Sequence, residues 1–173
     1  MLSCAVGRNL MLSKAYIGLG SNLGDSAGSL RAAVDMMREF AVDIRQSPMY
    51  RTAPQGFSNQ PPFYNAVCRV ATVLTPYELM EGLLRVESEV GRRRTFRNAP
   101  RLLDLDILLF GPRVLNTPPV ILPHPRMTER LFVLKPLADI APQLRHPVNG
   151  LTVAEMLRSL PAQSDVIERV EWR

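Results

Sequence analysis

A chain of 173 residues that is 46% apolar and 21% charged is long enough to bury one core and short for two, so a single domain is expected. All but Lys14 and Lys135 of its 21 basic side chains are arginine and the net charge is +5; guanidinium forks match phosphate oxygens, which leaves a nucleotide or a nucleic acid as the polyanionic partner. Two cysteines, Cys4 and Cys68, with no Cys-x-x-Cys, and two separated histidines, His124 and His146, give neither a disulfide framework nor a zinc site, and no run of about 18 apolar residues is present to span a bilayer.

Residues 1–13 are interrupted by Arg8 and Asn9, lack an apolar signal core and read as a disordered extension, with Met11 as an alternative start; residues 14–173 form the domain. Ala15 to Gly20 reads as a strand, and Ser26 to Phe40 as a helix with Leu30, Ala33, Val34 and Met37 at helical spacing. Val42 to Arg51 and Phe63 to Val73 read as strands separated by a loop, Thr52 to Pro62, rich in Pro, Gly, Asn and Gln. Loops of that length in a compact domain are usually functional. Phe63 and Asn65 alternate around Tyr64, so ring and amide share a face. The pair suits a flat heterocycle that needs stacking and edge hydrogen bonds; on spacing alone a core Phe with a turn-capping Asn is the simpler reading.

Thr75-Pro76-Tyr77-Glu78 is a capping box with Pro at the first helical position, and Leu79, Leu83, Val86 and Val90 line one face of the helix before Gly91 ends it. Leu103 to Phe110 is the fourth strand. The order β-α-β-β-α-β predicts a ferredoxin-like α+β sandwich, a mainly antiparallel sheet with its helices on one face. Residues 111–150 are Pro-rich and read as irregular. A C-terminal helix starts at Thr152, with Glu155 closing a second capping box and Val153, Met156, Leu157 and Leu160 facing inward, and a short strand follows near Val166 to Trp172.

The chemistry concentrates between Arg92 and Phe110. Arg92, Arg93, Arg94, Arg97 and Arg101 precede Asp104 and Asp106, which are two apart in a strand. Their carboxylates therefore leave the same face, with Cα atoms roughly 6.6 Å apart. Mg²⁺ takes oxygen ligands and usually only one or two carboxylates plus substrate phosphates, which neighbouring arginines would grip. Taken alone, an Asp-x-Asp is more often a surface pair at a strand edge.

Five strings occur together: Tyr16-Ile17-Gly18-Leu19-Gly20-Ser21-Asn22-Leu23-Gly24, Tyr50-Arg51-Thr52-Ala53-Pro54, Gly91-Arg92-Arg93-Arg94, Ala99-Pro100-Arg101-Leu102-Leu103-Asp104-Leu105-Asp106 and Pro123-His124-Pro125-Arg126-Met127. In this order they resemble the 6-hydroxymethyl-7,8-dihydropterin pyrophosphokinase family of folate biosynthesis, from about Ala15 to Leu160. The resemblance implies the ferredoxin-like fold, ATP as co-substrate, two Mg²⁺ ions, and transfer of pyrophosphate to the pterin hydroxymethyl group with release of AMP. It further implies that Asp104 and Asp106 hold both metal ions and that Arg92 and Arg101 join them as catalytic residues. ATP would be bound by Glu87, Arg92, Arg94, Arg97, Arg101, Ile107, His124 and Arg130, and the pterin by Gly20, Thr52, Ala53, Pro54, Gln55, Phe63, Asn65 and Phe132. Without the resemblance, Glu87 reads as a solvated helix residue, His124 as a filler and Phe132 as core. The sequence departs from the commoner family pattern at Ala53, Thr95, Asn98 and Pro125.

The rival is an RNA-binding module of the same topology, which displays several aromatics on its central strands. The fourth strand here offers Asp104 and Asp106 instead. The resemblance implies a monomeric enzyme whose partners are ATP and the pterin, expected in the cytoplasm with no nucleic acid and no membrane.

Overall fold

The computed structural model describes residues 11–53, 60–91, 102–161 and 167–172. Ser13–Ser21 forms β1, which pairs antiparallel along its whole length with Phe63–Thr72, the fourth strand in chain order, here β4. Between them lie α1 (Ser26–Met37), β2 (Val42–Gln46) and β3 (Met49–Thr52). Asp25 caps α1 by accepting from the Gly28 N–H at 2.9 Å, satisfying a donor that the first helical turn leaves open. The segment expected as one strand over Val42 to Arg51 is two, divided at Ser47–Pro48. Pro48 has no N–H to give to a ladder, and Ser47 fastens the break to β4: its N–H donates to Val67 O and its Oγ accepts from Val67 N.

The expected capping box opens α2 (Pro76–Val90). Thr75 Oγ1 accepts from Glu78 N at 3.3 Å, Glu78 Oε2 accepts from Thr75 N at 2.7 Å, and Gly91, at φ +110°, closes the helix in the left-handed region. β5 (Asp104–Phe110) then pairs antiparallel with β1. The main sheet runs β5-β1-β4-β3-β8, where β8 is Ile167–Val170 and β2 also pairs with β4. This is the ferredoxin-like arrangement that the element order predicted.

Period-two alternation in the strands gives the sheet two working faces. Ala15, Ile17, Leu19, Ala66, Cys68, Val70, Leu105 and Ile107 face α1 and α2, where Leu30, Met37, Leu79 and Leu83 complete a core with little or no exposure. The opposite face is covered as well. The stretch 111–150, expected to be irregular, contains a hairpin of β6 (Leu115–Thr117) and β7 (Val120–Leu122), a short 3₁₀ turn (Met127–Glu129) and α3 (Leu131–Ile140). Pro136 reads as a breaker in the sequence, yet it sits inside α3. The helix persists because Val133, Leu134 and Leu137 bury themselves against Tyr16, Val67, Leu108 and Leu109, and tertiary burial outweighs the lost backbone bond. α4 (Val153–Ser159), with its expected Thr152–Glu155 capping box, adds Val153 and Met156 to the same cluster. Helices therefore pack on both faces of the sheet, not on one. Among the described residues no helix is long and apolar enough to cross a membrane.

Candidate active site

The face covered by α3 is interrupted at one end, and there the candidate residues meet. Register places Asp104 opposite Gly20 and Asp106 opposite Gly18 on β1, while on the other side of β1 Gly20 faces Asn65 and Gly18 faces Val67 of β4. Directly opposed residues in a sheet point to the same side. Two glycines thus form a side-chain-free floor between a pair of acids and an amide. A Cβ on Gly20 would stand 3.2 Å from Asn65 Oδ1, and one on Gly18 would stand 3.3 Å from Leu108 Cδ2, so neither position has room for alanine without displacement.

Asp104 and Asp106 do share a face, as their spacing requires, and both line a small cavity with Gly18, Gly20, Arg130 and Phe132. The Asp106 side chain keeps 40% of its surface exposed. Beyond it, the His124 N–H donates to Leu108 O at 2.9 Å, which pins the histidine segment to the outer edge of β5. His124 Nδ1 accepts the Arg126 N–H at 3.2 Å, so Nε2 carries the proton of the neutral ring, and it lies 3.8 Å from Asp106 Oδ2. Burial pulls this imidazole below its ordinary range, against the upward pull of Asp106. Arg130 stands at the N-terminus of α3 with its guanidinium 5.5 Å from the centre of the Phe132 ring, within cation–π range. Burial lowers its pKa as well, opposed in part by Asp106 and Asp104.

The larger cavity, about 340 Å³, adjoins the first and shares Asn65, Asp104, Arg130 and Phe132 with it; Thr52, Ala53, Phe63, Leu131 and Ile167 complete its lining. Its size falls within the range of small-molecule sites. Phe63 and Asn65 occupy one face as their alternation predicted, and Asn65 Nδ2 donates to Thr52 Oγ1 at 3.4 Å. Asn65 and Thr52, at 7% and 9% exposure, are the buried polar groups of a mostly apolar chamber. α3 is locked over it by a second contact further along the helix: Tyr50 O–H donates to Asp139 Oδ2 at 2.6 Å, and Lys135 Nζ donates to Asp139 Oδ1 at 3.0 Å. Because Phe132, Lys135 and Asp139 recur at helical spacing, this clamp and the ring lie along one side of α3.

The structure brings together Gly20, Thr52, Ala53, Phe63, Asn65, Asp104, Asp106, His124, Arg130 and Phe132. Pro54, Gln55, Arg92, Arg94, Arg97 and Arg101 lie outside the described residues. Two other positions differ from the simplest expectation. Glu87 is 1% exposed, not solvated, and its Oε1 accepts the Leu105 N–H at 2.7 Å between the two acids' positions in β5. Ile107 turns its side chain into the core on the far face, so only its backbone is on hand for a ligand. Leu131 and Ile167 were not anticipated. The alternation of Gly18 with Gly20 was the one available signal for the floor, whereas nothing local in the sequence marks Ile167.

Two acids and a guanidinium thus stand beside an aromatic chamber with an amide at its edge, an arrangement suited to an anionic group on one side and a flat ring on the other. The chain belongs to the 7,8-dihydro-6-hydroxymethylpterin-pyrophosphokinase family, whose model matches residues 16–142. It is 41% identical over 162 residues to the 2-amino-4-hydroxy-6-hydroxymethyldihydropteridine pyrophosphokinase of Pseudomonas aeruginosa, covering 92% of this chain and 98% of that protein. The Bacillus subtilis protein of the same name is 43% identical, with 90% and 95% covered. The folic acid synthesis protein fol1 of Pneumocystis carinii is 42% identical over 84% of this chain, which spans only 20% of that protein's length. In three dimensions the chain resembles Plasmodium falciparum HPPK-DHPS, with a TM-score of 0.71 over 86% of this chain and 43% of that one; at 15% identity the likeness speaks for the fold alone.

Proposed function

We propose that this chain transfers the pyrophosphoryl group of ATP to the hydroxymethyl group of 6-hydroxymethyl-7,8-dihydropterin, releasing AMP, as a step of folate synthesis. The observation that carries the proposal is the junction of the two cavities through Asn65, Asp104, Arg130 and Phe132. A heterocycle held in the larger chamber would present its substituent to the acidic one. Phe63 and Phe132 supply stacking surface, and Asn65 with Thr52 supplies donors and acceptors at the ring edge.

The donor set fits Mg²⁺. Two carboxylate oxygen donors share one face, and among the described residues no third His, Cys, Asp or Glu joins them to make a closed cage, which leaves the remaining positions to phosphate and water. Asp104 and Asp106 would hold the metal, two ions in this reading, and bound Mg²⁺ supplies neutralisation of charge along the triphosphate. His124, neutral with its proton on Nε2, donates to a phosphate oxygen, and Arg130 offers its fork to another. The acceptor hydroxyl oxygen attacks the β-phosphorus in line, forming an O–P bond as the bond to the AMP oxygen breaks. The hydroxyl proton leaves to a carboxylate of the pair or to water; positioning and electrostatics dominate such transfers, so no dedicated base is required. Arg92, Arg94, Arg97 and Arg101 complete the phosphate grip in this proposal, with Arg92 and Arg101 acting on the transferred group, and Glu87 reaches the nucleoside only by exchanging its Leu105 contact. Pro54 and Gln55 extend the pterin chamber. In this reading the chain works as a monomer, and we place it in the cytoplasm, where ATP is available.

The test is product analysis with ATP, Mg²⁺ and the hydroxymethyl pterin. AMP should appear in step with the pyrophosphorylated pterin and only when the pterin is present. Release of ADP, or nucleotide turnover indifferent to the pterin, would remove this function.

A further inference from the structure

We propose that β8 is a wall of the pterin chamber and that Ile167 is a specificity-determining contact for the heterocycle, an inference that rests on the reading of the larger cavity as the pterin site. The strand lies beyond the stretch matched by the family model, which ends at residue 142. Three contacts nonetheless build it into the site. Its four residues pair antiparallel with β3, setting Ile167 opposite Thr52 and Glu168 opposite Arg51. Arg51 Nη1 meets Glu168 Oε2 at 3.2 Å. Past the end of the strand, Trp172 Nε1 donates to Ser47 O at 2.7 Å while its ring packs on the first core.

Register decides which side chain faces the ligand. Tyr50 and Thr52 point to the α3 side, as the Tyr50–Asp139 bond shows, so Ile167, directly opposite Thr52, points there also. Arg51 and Glu168 alternate to the other side. A slip of one residue that brought Glu168 opposite Thr52 would replace Ile167 by a charged side chain in the chamber. Ile167 is half-buried and lines the cavity with Thr52, Phe63, Asn65 and Phe132. The polar members of that group serve the hydrogen-bonding edge of the ring. Ile167 adds an apolar, branched surface that a substituent on the ring would meet, which gives it a say in which pterins are accepted.

The experiment measures binding of the fluorescent oxidised analogue 6-hydroxymethylpterin, and KM for pterin and for ATP, in the full chain and in Ile167→Ala, Ile167→Val, Ile167→Asp and Phe63→Ala. Removing a few methylenes from a fitted apolar contact changes affinity by about tenfold or somewhat more. Ile167→Ala should therefore raise the pterin KM and Kd about tenfold with the ATP KM unchanged, and Ile167→Val should restore most of the loss. Ile167→Ala should also admit ring-alkylated pterins that the parent rejects. If Phe63→Ala weakens pterin binding and Ile167→Ala and Ile167→Asp do not, β8 is no wall of the site and the proposal falls. If Phe63→Ala is also without effect, the chamber is not the pterin site, and the proposal falls together with that assignment. Should Ile167→Asp fail to fold, the Ala and Val pair decides alone.

Discussion

The two faces of the sheet use the same strands for opposite ends. Toward α1 and α2, each strand contributes branched or long apolar side chains to a closed core in which Ile17, Leu30, Met37, Leu79 and Leu83 have no exposed surface. Toward α3, the same strands place Gly18, Gly20, Asn65, Asp104 and Asp106 side by side, residues that contribute little packing and hold an open, polar hollow. Stability is concentrated on one face so that the other can keep unfilled space and charge. α3 and α4 stop the second face from unravelling by burying Val133, Leu134, Leu137, Val153 and Met156 beside the hollow.

That division can be broken most sharply at Asp106. Asp106→Ala should lower turnover by about 10²–10³-fold or more, as loss of a preorganised electrostatic group does, with an unchanged melting temperature. Near-normal turnover would take the acid pair out of the chemistry. The converse substitution is Leu83→Ala on the closed face. It should cost about 2–5 kcal/mol of stability, because a fully buried leucine leaves a cavity, while kcat of the folded fraction stays close to that of the parent. Urea denaturation paired with assays below the transition reads both quantities, and a selective loss of kcat would blur the division.

Gly20→Ala probes the boundary between floor and chamber. The new methyl would press on Asn65 Oδ1 from 3.2 Å, and overpacking of about 1–3 kcal/mol should surface as a roughly tenfold or greater rise in the pterin KM; an unaltered KM would show the amide to be dispensable. Tyr50→Phe removes the 2.6 Å bond to Asp139 and is expected to cost about 1.5–3 kcal/mol, the range for a hydrogen bond to a charged partner, with a modest further effect on the pterin KM as α3 loosens. Burial and the Asp139 contact both push the Tyr50 hydroxyl pKa up, so it remains a donor throughout the neutral range.

The smallest effect lies away from the site. His146 is 8% exposed, its Nδ1 accepts from Val148 N and Asn149 N at 3.3 Å each, and burial lowers its pKa. The folded state therefore takes up its proton at lower pH than the unfolded chain does. Its contribution is complete above the unfolded value of about 6.5 and is lost as pH falls from there through the folded value. Melting temperatures should decline below that pH, and His146→Gln should flatten the decline; an identical slope in the variant would assign it to other groups.

Much of this architecture was legible before any coordinates. The Thr75–Glu78 and Thr152–Glu155 capping boxes locate two helix starts because they satisfy orphan N–H groups within four residues, and strand alternation places Asp104 with Asp106 and Phe63 with Asn65. α3 was not legible. Pro136 carries a local signal against a helix, and only burial against Tyr16, Val67 and Leu108 reverses it. Without the family resemblance Glu87 reads as solvated, because a lone helix acid has no visible partner in the sequence, and the Leu105 N–H that holds it is 18 residues away.

By itself, then, the sequence determined what repeats at short range: the element order, the helix caps, and the side to which each member of an alternating pair turns. Those follow from backbone geometry and neighbouring hydrogen bonds. The fold decided which residues stand across from one another, and so set Gly18 and Gly20 between the acids and Asn65, turned His124 Nε2 toward Asp106, and brought Ile167 to Thr52. Such pairings depend on strand register and on apolar area buried between distant segments, quantities that no local stretch of chain contains.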